Sequence, residues 1–387
     1  MDLHKDFEKV VAVIPSLHPD EKLQKTVEGL LDVGFARVVL VDDGSGPDYA
    51  ATFRACEELP GVTLIGYEVN RGKGAAMKTA CAYILEDMKD CTGVITVDGD
   101  GQHLPKDCRA CAEAMIEDDK VVLGVRDFSL PDVPKRSRRG NRITSFVFRL
   151  FCGMKISDTQ TGLRAFPIDI LPKVCETKGD RYEFETQMLL DFKTYRIPFE
   201  EHTIETVYIE ENQTSHFRVV KDSFRIYRML LAHFFKYSAN SIVSYLINYG
   251  LMSLMLFILT RNTGMNELAR NAVAFVFGWV VSSVFNFLIN HLVVFKAQCP
   301  LRKSIFKYYA LALPIAAVGL TLTLLGVKGV SIWGFLPDAW EKYAQMIVHP
   351  VVQLILFFIT FGVQREWVYK TDKKHRIKRQ NKSEVDK

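Results

Sequence analysis

The N-terminal 230 residues alternate between short apolar runs and longer stretches of mixed polarity. This pattern predicts parallel β-strands separated by helices, because strands that are buried on both faces read as continuous apolar runs. The predicted strands are 10–17, 36–41, 62–67, 93–97 and 121–125, and the predicted helices are 20–33, 48–59, 74–88 and 105–117. We therefore expect residues 1–230 to form an α/β domain with a largely parallel sheet.

The last 150 residues have a different pattern, with four long stretches that lack Asp, Glu, Lys and Arg. They are 237–260, 271–295, 308–327 and 343–364, and each contains 20 or more residues. About 20 apolar residues are enough for a helix to cross roughly 30 Å of hydrocarbon. A soluble core would need four uncharged helices in succession, so the pattern favours an all-α, four-helix transmembrane domain over residues 237–364.

Basic residues predict how these spans are oriented. The tail 365–387 holds nine Lys/Arg against four Asp/Glu, and the linker between the second and third spans is also basic. Lys and Arg are enriched in cytoplasmic loops. We therefore expect an integral protein of the cytoplasmic (plasma) membrane. An even number of spans places the N-terminal domain on the same cytoplasmic side as the tail.

Composition excludes several other classes. The chain has 387 residues, 48% of them hydrophobic, and a mean hydropathy of +0.05, which is high for a soluble protein. The net charge of +4 is smaller than the +5 of the tail alone, so we expect no nucleic-acid partner. The eight cysteines show no paired spacing, which predicts reduced thiols in a cytosol, and no signal peptide is expected at the N-terminus.

Polar clusters follow three of the predicted strands, at the strand ends where ligands bind in such sheets. In the third cluster Asp98, Asp100 and Gln102 alternate along the chain, so an extended backbone would point them the same way. Two carboxylates and an amide oxygen suit Mg²⁺ or Mn²⁺ bound together with a diphosphate. A bare Asp-x-Asp is also common in acidic turns, and its position directly after a strand is what favours a metal site.

Two further segments have both a structural and a functional interpretation. In Asp42–Ser45, Asp43 and Ser45 could form an Asx turn or a helix cap, or Asp42 could contact the base or the ribose hydroxyls of a nucleotide. The segment Asn70–Gly74 begins a predicted helix with two glycines and two cations, so its backbone amides could approach a phosphate. It lacks the order of a Walker loop.

Six motifs resemble family 2 glycosyltransferases of the dolichol-phosphate mannose synthase and bacterial polyprenyl-phosphate glycosyltransferase group. They cover about residues 8–230 and read IPSLHPDEKL, VDDGS, NRGKGAAMKTA, DGDGQH, SDTQTGLRAF and NQTSHF. The resemblance implies a GT-A-like (Rossmann-like) catalytic domain. The C-terminal half, with FKYSANS and FNFLINHLVVF, resembles the four-span GtrA-like family.

The resemblance also implies roles for individual residues. Asp98, Asp100 and Gln102 would bind the metal, and Asp100, Arg126 and Arg164 would be catalytic, with the two arginines neutralising donor or acceptor phosphate. The implied nucleotide-sugar site consists of Pro15, Leu17, Glu21, Asp42, Asp43, Asn70, Lys73, Asp98 and Gly99. His18 and Pro19 depart from the Asn and Glu usual in the first motif, so whether Asp20 or Glu21 contacts the nucleobase stays open.

Two basic segments predict contact with the membrane surface. Residues 135–155 contain seven Lys/Arg, no acidic residue, and the apolar residues Ile143, Phe146, Val147, Leu150 and Phe151 on one predicted helical face. Such a helix can lie among lipid headgroups, although it could instead pack this stripe on the sheet. Residues 216–236 form a second basic segment that leads into the first span. The residues assigned to lipid phosphate or membrane contact are Arg138, Arg139, Arg142, Ser215, His216 and Arg218.

Together these features predict a metal-dependent, inverting transferase. It would move a hexose, with mannose or glucose the family expectation, from a nucleotide-diphosphate sugar to polyprenyl (dolichyl or undecaprenyl) phosphate at the cytoplasmic face. The membrane domain could also form a homo-oligomer, and Asn240, Asn248, Asn286 and Asn290 within it are expected to face other helices or, in the alternative, a lipid headgroup.

Two other functions are alternatives to this transferase. A lipid-linked sugar translocator or binding protein would carry a vestigial transferase domain, against which the intact Asp98–Gln102 cluster argues. A processive polysaccharide synthase would need a QxxRW motif, and the nearest string, Gln364–Trp367, has different spacing.

Overall fold

The computed structural model describes residues 6–131, 133–205, 219–262, 264–297, 299–333 and 344–369. The chain divides into two compact units, Met1–Leu230 and Leu231–Lys387. Three residues with predicted membrane roles, Ser215, His216 and Arg218, lie outside the described residues, as does most of the basic tail.

The first unit is built on a seven-stranded mixed sheet. The strand order is β3-β2-β1-β4-β6-β5-β7, and β6 is antiparallel to both of its neighbours whereas every other pair is parallel. The strands are β1 (Val10–Ser16), β2 (Arg37–Asp42), β3 (Val62–Gly66), β4 (Gly93–Thr96), β5 (Val121–Arg126), β6 (Arg164–Pro167) and β7 (Phe199–Ile204). The predicted largely parallel α/β sheet is confirmed, and β6 and β7 are additions that the sequence pattern missed.

Helices connect the strands and cover the sheet. They are α1 (Lys22–Asp32), α2 (Ala50–Glu57), α3 (Lys73–Asp87), α4 (Pro105–Asp118), α5 (Lys135–Val147), α6 (Leu171–Glu176), α7 (Glu183–Tyr195) and α8 (Val219–Leu230). Helix α4 shows how local sequence sets these boundaries. Pro105 occupies a first-turn position, where no amide donor is required, and Asp119 ends the helix in the left-handed conformation.

Apolar cores lie on both faces of the sheet. In β1, Val11 and Val13 belong to one core, whereas Val10, Ala12 and Ile14 belong to the other. All five side chains are fully buried. Because both faces are covered, the ends of the strands are the part of the sheet at which polar groups can gather.

The second unit is helical. Its helices are α9 (Ala232–Asn262), α10 (Glu267–Ile289), α11 (Leu301–Trp333) and α12 (Ala344–Val363). Within the described residues, four helical segments are long and apolar enough to cross a membrane, namely Phe234–Arg261, Glu267–Val294, Leu301–Thr323 and Pro350–Val368. Each overlaps a predicted span. The final helix continues through a π-helical turn, Gln364–Val368, so residues 365–368 are helical although they were assigned to the tail.

Asparagines link the helices of this unit. Asn240 Nδ2 on α9 donates to Asn290 Oδ1 at 2.9 Å, and Asn286 Nδ2 donates to Ser244 Oγ at 3.0 Å. Tyr308 on α11 donates to Asn286 Oδ1 at 3.2 Å. Three of the four predicted asparagines therefore make inter-helix hydrogen bonds. Asn248 faces Gly278 on α10, where a Cβ would overlap its Oδ1.

Candidate active site

The site lies at the carboxyl ends of β1 and β4, where the strand order reverses. From β1 the chain builds outward through β2 and β3, and β4 then adds to the other side of β1. Such a reversal opens a crevice between neighbouring strands. The crevice is lined by residues from both strands and from β6, α3 and α7, among them Pro15, Thr96, Asp98, Lys73, Arg164 and Glu185.

A lysine between two carboxylates forms the centre of the site. Lys73 Nζ lies 2.6 Å from Asp98 Oδ1 and 2.7 Å from Glu185 Oε1. Burial alone would raise the pKa of Asp98, but the charges of Lys73 and His103 outweigh it and lower this pKa to about 2. Burial opposes the charge on Lys73, and Asp98 and Glu185 reverse that effect and raise its pKa. Lys73 and Asp98 are therefore held as an ion pair at neutral pH.

Asp100 lies in a turn rather than in an extended segment. Strand β4 ends at Thr96, and Gly101 has φ of +78°. Asp100 Oδ1 accepts a hydrogen bond from the Gln102 amide at 3.0 Å. The expectation that an extended backbone would point Asp98, Asp100 and Gln102 the same way is therefore wrong, because the glycines allow the chain to turn.

The two aspartates still form one electrostatic site. Burial and the nearby charge of Asp98 raise the pKa of Asp100. A divalent cation would relieve this repulsion, and carboxylates are suitable ligands for it. No group of three His, Cys, Asp or Glu side chains with metal-binding geometry occurs in the part of the chain that the structure describes. Two carboxylates alone do not complete the coordination of a divalent cation. The residues present therefore fit a cation that takes two carboxylates here and further oxygens from Gln102 and from a bound diphosphate.

The two predicted catalytic arginines have different surroundings. Arg126, at the end of β5, forms a two-point ion pair with the buried Asp158, with Nε–Oδ2 at 2.6 Å and Nη2–Oδ1 at 3.1 Å. Arg164 on β6 is 1% exposed, and its Nη1 donates to the Glu185 carbonyl at 2.8 Å. Its Nη2 has no protein partner within the described residues. Arg164 therefore places a buried positive charge behind Lys73 and Asp98.

Adjacent aspartates at the end of β2 make distinct contacts. Asp42 Oδ1 accepts from the Ser45 amide, three residues further along the chain, at 2.8 Å, which closes the turn after β2. Asp43 is 3% exposed, and its carboxylate accepts from the Arg71 and Gly72 amides at 2.9 to 3.0 Å. It also accepts from Asn70 Nδ2 at 2.9 Å. Asp43 thus anchors the segment that leads into α3, a structural role that the sequence-based assignment to the nucleotide site did not include.

The first motif ends in an unusual backbone conformation. His18 has φ of +51°, its amide donates to Ser45 Oγ at 2.9 Å, and its ring stacks on Tyr49 with centroids 4.9 Å apart. Leu17 is half-buried, whereas Glu21 is exposed and lies 4.0 Å from Lys25. Gly99 lies in the turn after β4, where a Cβ would come within 2.9 Å of Leu23 Cδ1. The nucleotide contacts of these residues stay predictions.

Helix α5 exposes only part of the predicted apolar stripe. Ile143 and Phe146 are 57% and 62% exposed, next to the exposed Arg139 and Arg142. Val147, Leu150 and Phe151 are half-buried, because α5 ends at Val147 and a π-helical turn rotates the following residues. The predicted single stripe through all five residues is therefore wrong. The face that packs inward is Asn141, Thr144 and Phe148.

Arg138 is turned toward the protein. Its Nη2 donates to the Leu130 carbonyl at 2.6 Å. It thus differs from Arg139 and Arg142, although all three were assigned to lipid phosphate or membrane contact.

Two site residues were missed by sequence reasoning, namely Glu185 and Asp158. Asp158 lies within the SDTQTGLRAF motif, so its place in that motif was an available signal. Glu185 lies on a helix that the apolar pattern did not predict. It is 112 positions from Lys73 in the sequence, so no local spacing relates the two residues.

Part of the chain is similar to known glycosyltransferases. Residues 11–174 match the family described as glycosyl transferase family 2. A UDP-N-acetylglucosamine–dolichyl-phosphate N-acetylglucosaminyltransferase of Methanococcus voltae is 27% identical over 243 residues, which cover 57% of this chain and 95% of that protein. An undecaprenyl-phosphate mannosyltransferase of Micrococcus luteus is 28% identical over 199 residues, which cover 49% of this chain and 79% of that protein.

Among solved structures, glucosyl-3-phosphoglycerate synthase from Mycobacterium tuberculosis, in complex with Mn²⁺, UDP and glucosyl-3-phosphoglycerate, aligns with a TM-score of 0.45 and 12% identity. The alignment covers 60% of this chain and 84% of that one. The resemblance of the C-terminal half to the GtrA-like family stays a prediction. The motifs, the site at the strand ends and the match over residues 11–174 agree, and all three are similar to what is found in glycosyl transferase family 2.

Proposed function

We propose that this protein transfers a hexose from a nucleotide-diphosphate sugar to a polyprenyl phosphate at the cytoplasmic face of a membrane. The observation that carries the proposal is the grouping of Asp98 and Asp100 with Lys73 and Arg164 at one strand end. Acidic groups for a metal and cations for phosphate are what a reaction between two anions requires. The two relatives named for transfer to dolichyl and undecaprenyl phosphate support the acceptor class.

Mg²⁺ or Mn²⁺ would be held by Asp98 and Asp100, with Gln102 beside them. When bound, the ion supplies Lewis-acid stabilisation of the departing diphosphate. Gly162 leaves room for this arrangement, since a Cβ at position 162 would overlap the Asp98 carboxylate.

The acceptor needs charge neutralisation rather than a general base. A phosphate monoester has a second pKa near 6 and is mostly dianionic at neutral pH, so its oxygen can attack without losing a proton. The phosphate oxygen bonds to the anomeric carbon, and the bond from that carbon to the diphosphate oxygen breaks. A nucleoside diphosphate leaves, and one such displacement inverts the anomeric centre. Arg126 and Arg164 would offset the negative charge of the approaching phosphates.

Access to a lipid acceptor is supported by helix α5 and by the second unit. Ile143 and Phe146 are exposed beside Arg139 and Arg142, a combination that favours the headgroup layer of an anionic membrane. The four apolar helical segments would hold the protein in the bilayer. The basic second linker and tail favour a cytoplasmic side for the N-terminal unit.

Transfer of radiolabelled sugar into organic-extractable lipid tests the proposal. The full-length protein is purified in detergent, mixed with polyprenyl phosphate and Mg²⁺ or Mn²⁺, and given a panel of UDP- and GDP-linked hexoses and N-acetylhexosamines. Label should enter the lipid with one donor and be lost with EDTA. Asp100→Asn should lower the rate by about 100-fold or more. Asp118→Asn, an exposed carboxylate at the far end of α4, is the matched control.

Absence of label from every donor, with folded protein, would overturn the transferase proposal. Retained scrambling of lipid-linked sugar in the same preparation would then favour the translocator. Products that grow by repeated sugar addition would instead favour the processive synthase.

A further inference from the structure

The position of Lys73 affects how a metal ion could bind to Asp98. Its ammonium occupies Asp98 Oδ1, an oxygen of one of the two carboxylates that fit a divalent cation. Two positive groups cannot share one carboxylate oxygen closely without strong repulsion. The lysine and a metal ion therefore compete for Asp98.

The surroundings of Lys73 allow its head to move while its backbone stays fixed. Lys73 is the first residue of α3, and the preceding Gly72 amide donates to the buried Asp43 carboxylate. The four-carbon side chain carries a compact charge on rotatable bonds. Its stem is anchored at one end only, so the ammonium can leave Asp98 without disturbing the helix.

A second carboxylate is already in place to keep the displaced ammonium. Glu185 Oε1 lies 2.7 Å from Lys73 Nζ and is not one of the residues that fit the metal. Arg164 Nη1 donates to the Glu185 carbonyl at 2.8 Å, which fixes the start of α7 next to the site. Glu185 therefore offers Lys73 an ion pair that survives the loss of Asp98.

We propose that Lys73 stands in for the divalent cation at Asp98 and that Glu185 retains the lysine when the metal displaces it. This inference rests on the proposed function, because it assigns Asp98 to the metal of the transfer reaction. Lys73 and Glu185 are positioning residues in this exchange. Without a metal, the ammonium offsets the repulsion between the neighbouring carboxylates. With a metal, the ammonium remains within the crevice that receives the donor.

The exchange predicts opposite effects of two substitutions on Mn²⁺ affinity. Lys73→Met removes the competing charge, so Mn²⁺ alone should bind about tenfold more tightly than to the wild type. Glu185→Gln leaves the lysine with Asp98 as its one acidic partner, so Mn²⁺ should bind about tenfold more weakly. If Lys73 and Glu185 had only structural roles, these two substitutions would not shift the Mn²⁺ affinity in opposite directions.

Electron paramagnetic resonance of free Mn²⁺, titrated into the full-length protein in detergent without nucleotide, measures these affinities. Lys78→Met is the matched control, since Lys78 lies on the same helix and pairs with the exposed Asp180 outside the crevice. Its Mn²⁺ affinity should equal that of the wild type. Values for Lys73→Met and Glu185→Gln within twofold of the wild type, or a shift of both in one direction, would overturn the inference. So would a wild type and a Lys73→Met protein that both fail to bind Mn²⁺.

Lysine labelling of the wild type tests the same exchange without a substitution. An amine-reactive reagent followed by peptide mass spectrometry should modify Lys73 several-fold faster with saturating Mn²⁺ than with EDTA, while Lys78 reacts equally in both. Equal labelling of Lys73 would contradict the exchange even if a variant fails to fold. A protein that transfers sugar to lipid but shows neither effect would overturn this inference alone, and one that shows both effects without transfer would overturn the proposed reaction alone.

Discussion

At the scale of single residues, the two adjacent aspartates at the end of β2 show that identical side chains can have different roles. Asp42 is half-buried and shapes its own turn, whereas Asp43 is buried and holds residues 70–72. If the carboxylate were removed, the buried Gly72 amide would lose its acceptor, and the partly buried Arg71 amide and Asn70 Nδ2 would each lose a hydrogen bond. Unsatisfied buried donors are costly, so the contribution of Asp43 is to the fold of the loop that presents Lys73.

Replacing Asp43 should therefore destabilise the protein. Asp43→Ala is expected to cost about 2 to 3 kcal/mol of unfolding free energy, because the buried Gly72 amide and the partly buried Arg71 amide lose their carboxylate acceptor. Thermal unfolding of the full-length protein in detergent measures the loss as a lower midpoint. Asp48→Ala, an exposed carboxylate in the following turn, serves as the comparison. Equal midpoints for the two variants would show that the loop does not depend on Asp43.

Gly162 affects the site rather than the stability. A Cβ at this position would overlap Asp98 Oδ2, so Gly162→Ala should push the carboxylate out of place. A displacement of about 1 Å in a catalytic arrangement can cost about 100-fold in rate, and we expect a loss of that order in sugar transfer to lipid. Gly140→Ala is the control, because a Cβ there has open space around it. Transfer by Gly162→Ala at the wild-type rate would show that Asp98 need not keep its position.

At the scale of elements, the strands and site residues that could be predicted are those with a local signal in the sequence. Apolar runs in the sequence predict strands β1 to β5. The aspartates after β2 and β4 could be predicted as site residues because parallel strands end at a common edge. The apolar pattern missed strand β6, which begins with the buried Arg164 and ends with Pro167, and it missed helix α7, which carries Glu185. Pairings of Glu185 with Lys73 and of Asp158 with Arg126 depend on contacts distant in sequence. No single-sequence pattern fixes such contacts.

Helix α5 illustrates a second limit, since an apolar stripe does not say which face the protein covers. The structure divides the predicted stripe between the core and solvent, and it leaves Ile143 and Phe146 outward. These two side chains are expected to enter the lipid surface, where burial of each stabilises binding by about 1.5 to 3 kcal/mol.

The double variant Ile143→Ser, Phe146→Ser tests this role of α5. It should raise the KM for polyprenyl phosphate in anionic vesicles by about tenfold, while the rate with a short, water-soluble prenyl phosphate stays at the wild-type value. The control is Tyr195→Ser, which removes an exposed aromatic side chain at the end of α7. A KM unchanged in vesicles, or a parallel loss with the soluble acceptor, would contradict a membrane role for this face.

At the scale of the whole molecule, the surfaces of the two units are suited to different surroundings. The first buries its apolar residues in two cores around the sheet, whereas the helices of the second leave many large apolar side chains exposed, as lipid-facing helices do. In the second unit, Asn240, Asn286 and Asn290 instead point inward and form hydrogen bonds to one another and between helices. This inside-out polarity supports the membrane interpretation independently of span length.

The orientation of the molecule gives the last prediction, which cysteine labelling in intact cells can check. Gly264, between the first two spans, has open space for a side chain, and Lys303, in the basic first turn of the third span, is exposed. With the basic linker in the cytoplasm, Gly264→Cys should react with a membrane-impermeant maleimide added outside, whereas Lys303→Cys should react only after the cells are opened. The background is Cys175→Ser, because Cys175 is the one native cysteine that is not buried. Labelling in the reverse order would place the sugar-transfer site on the outer face, where cytosolic nucleotide sugars do not reach it, and would overturn the proposed topology while leaving the assignment of Asp98 and Lys73 to the site intact.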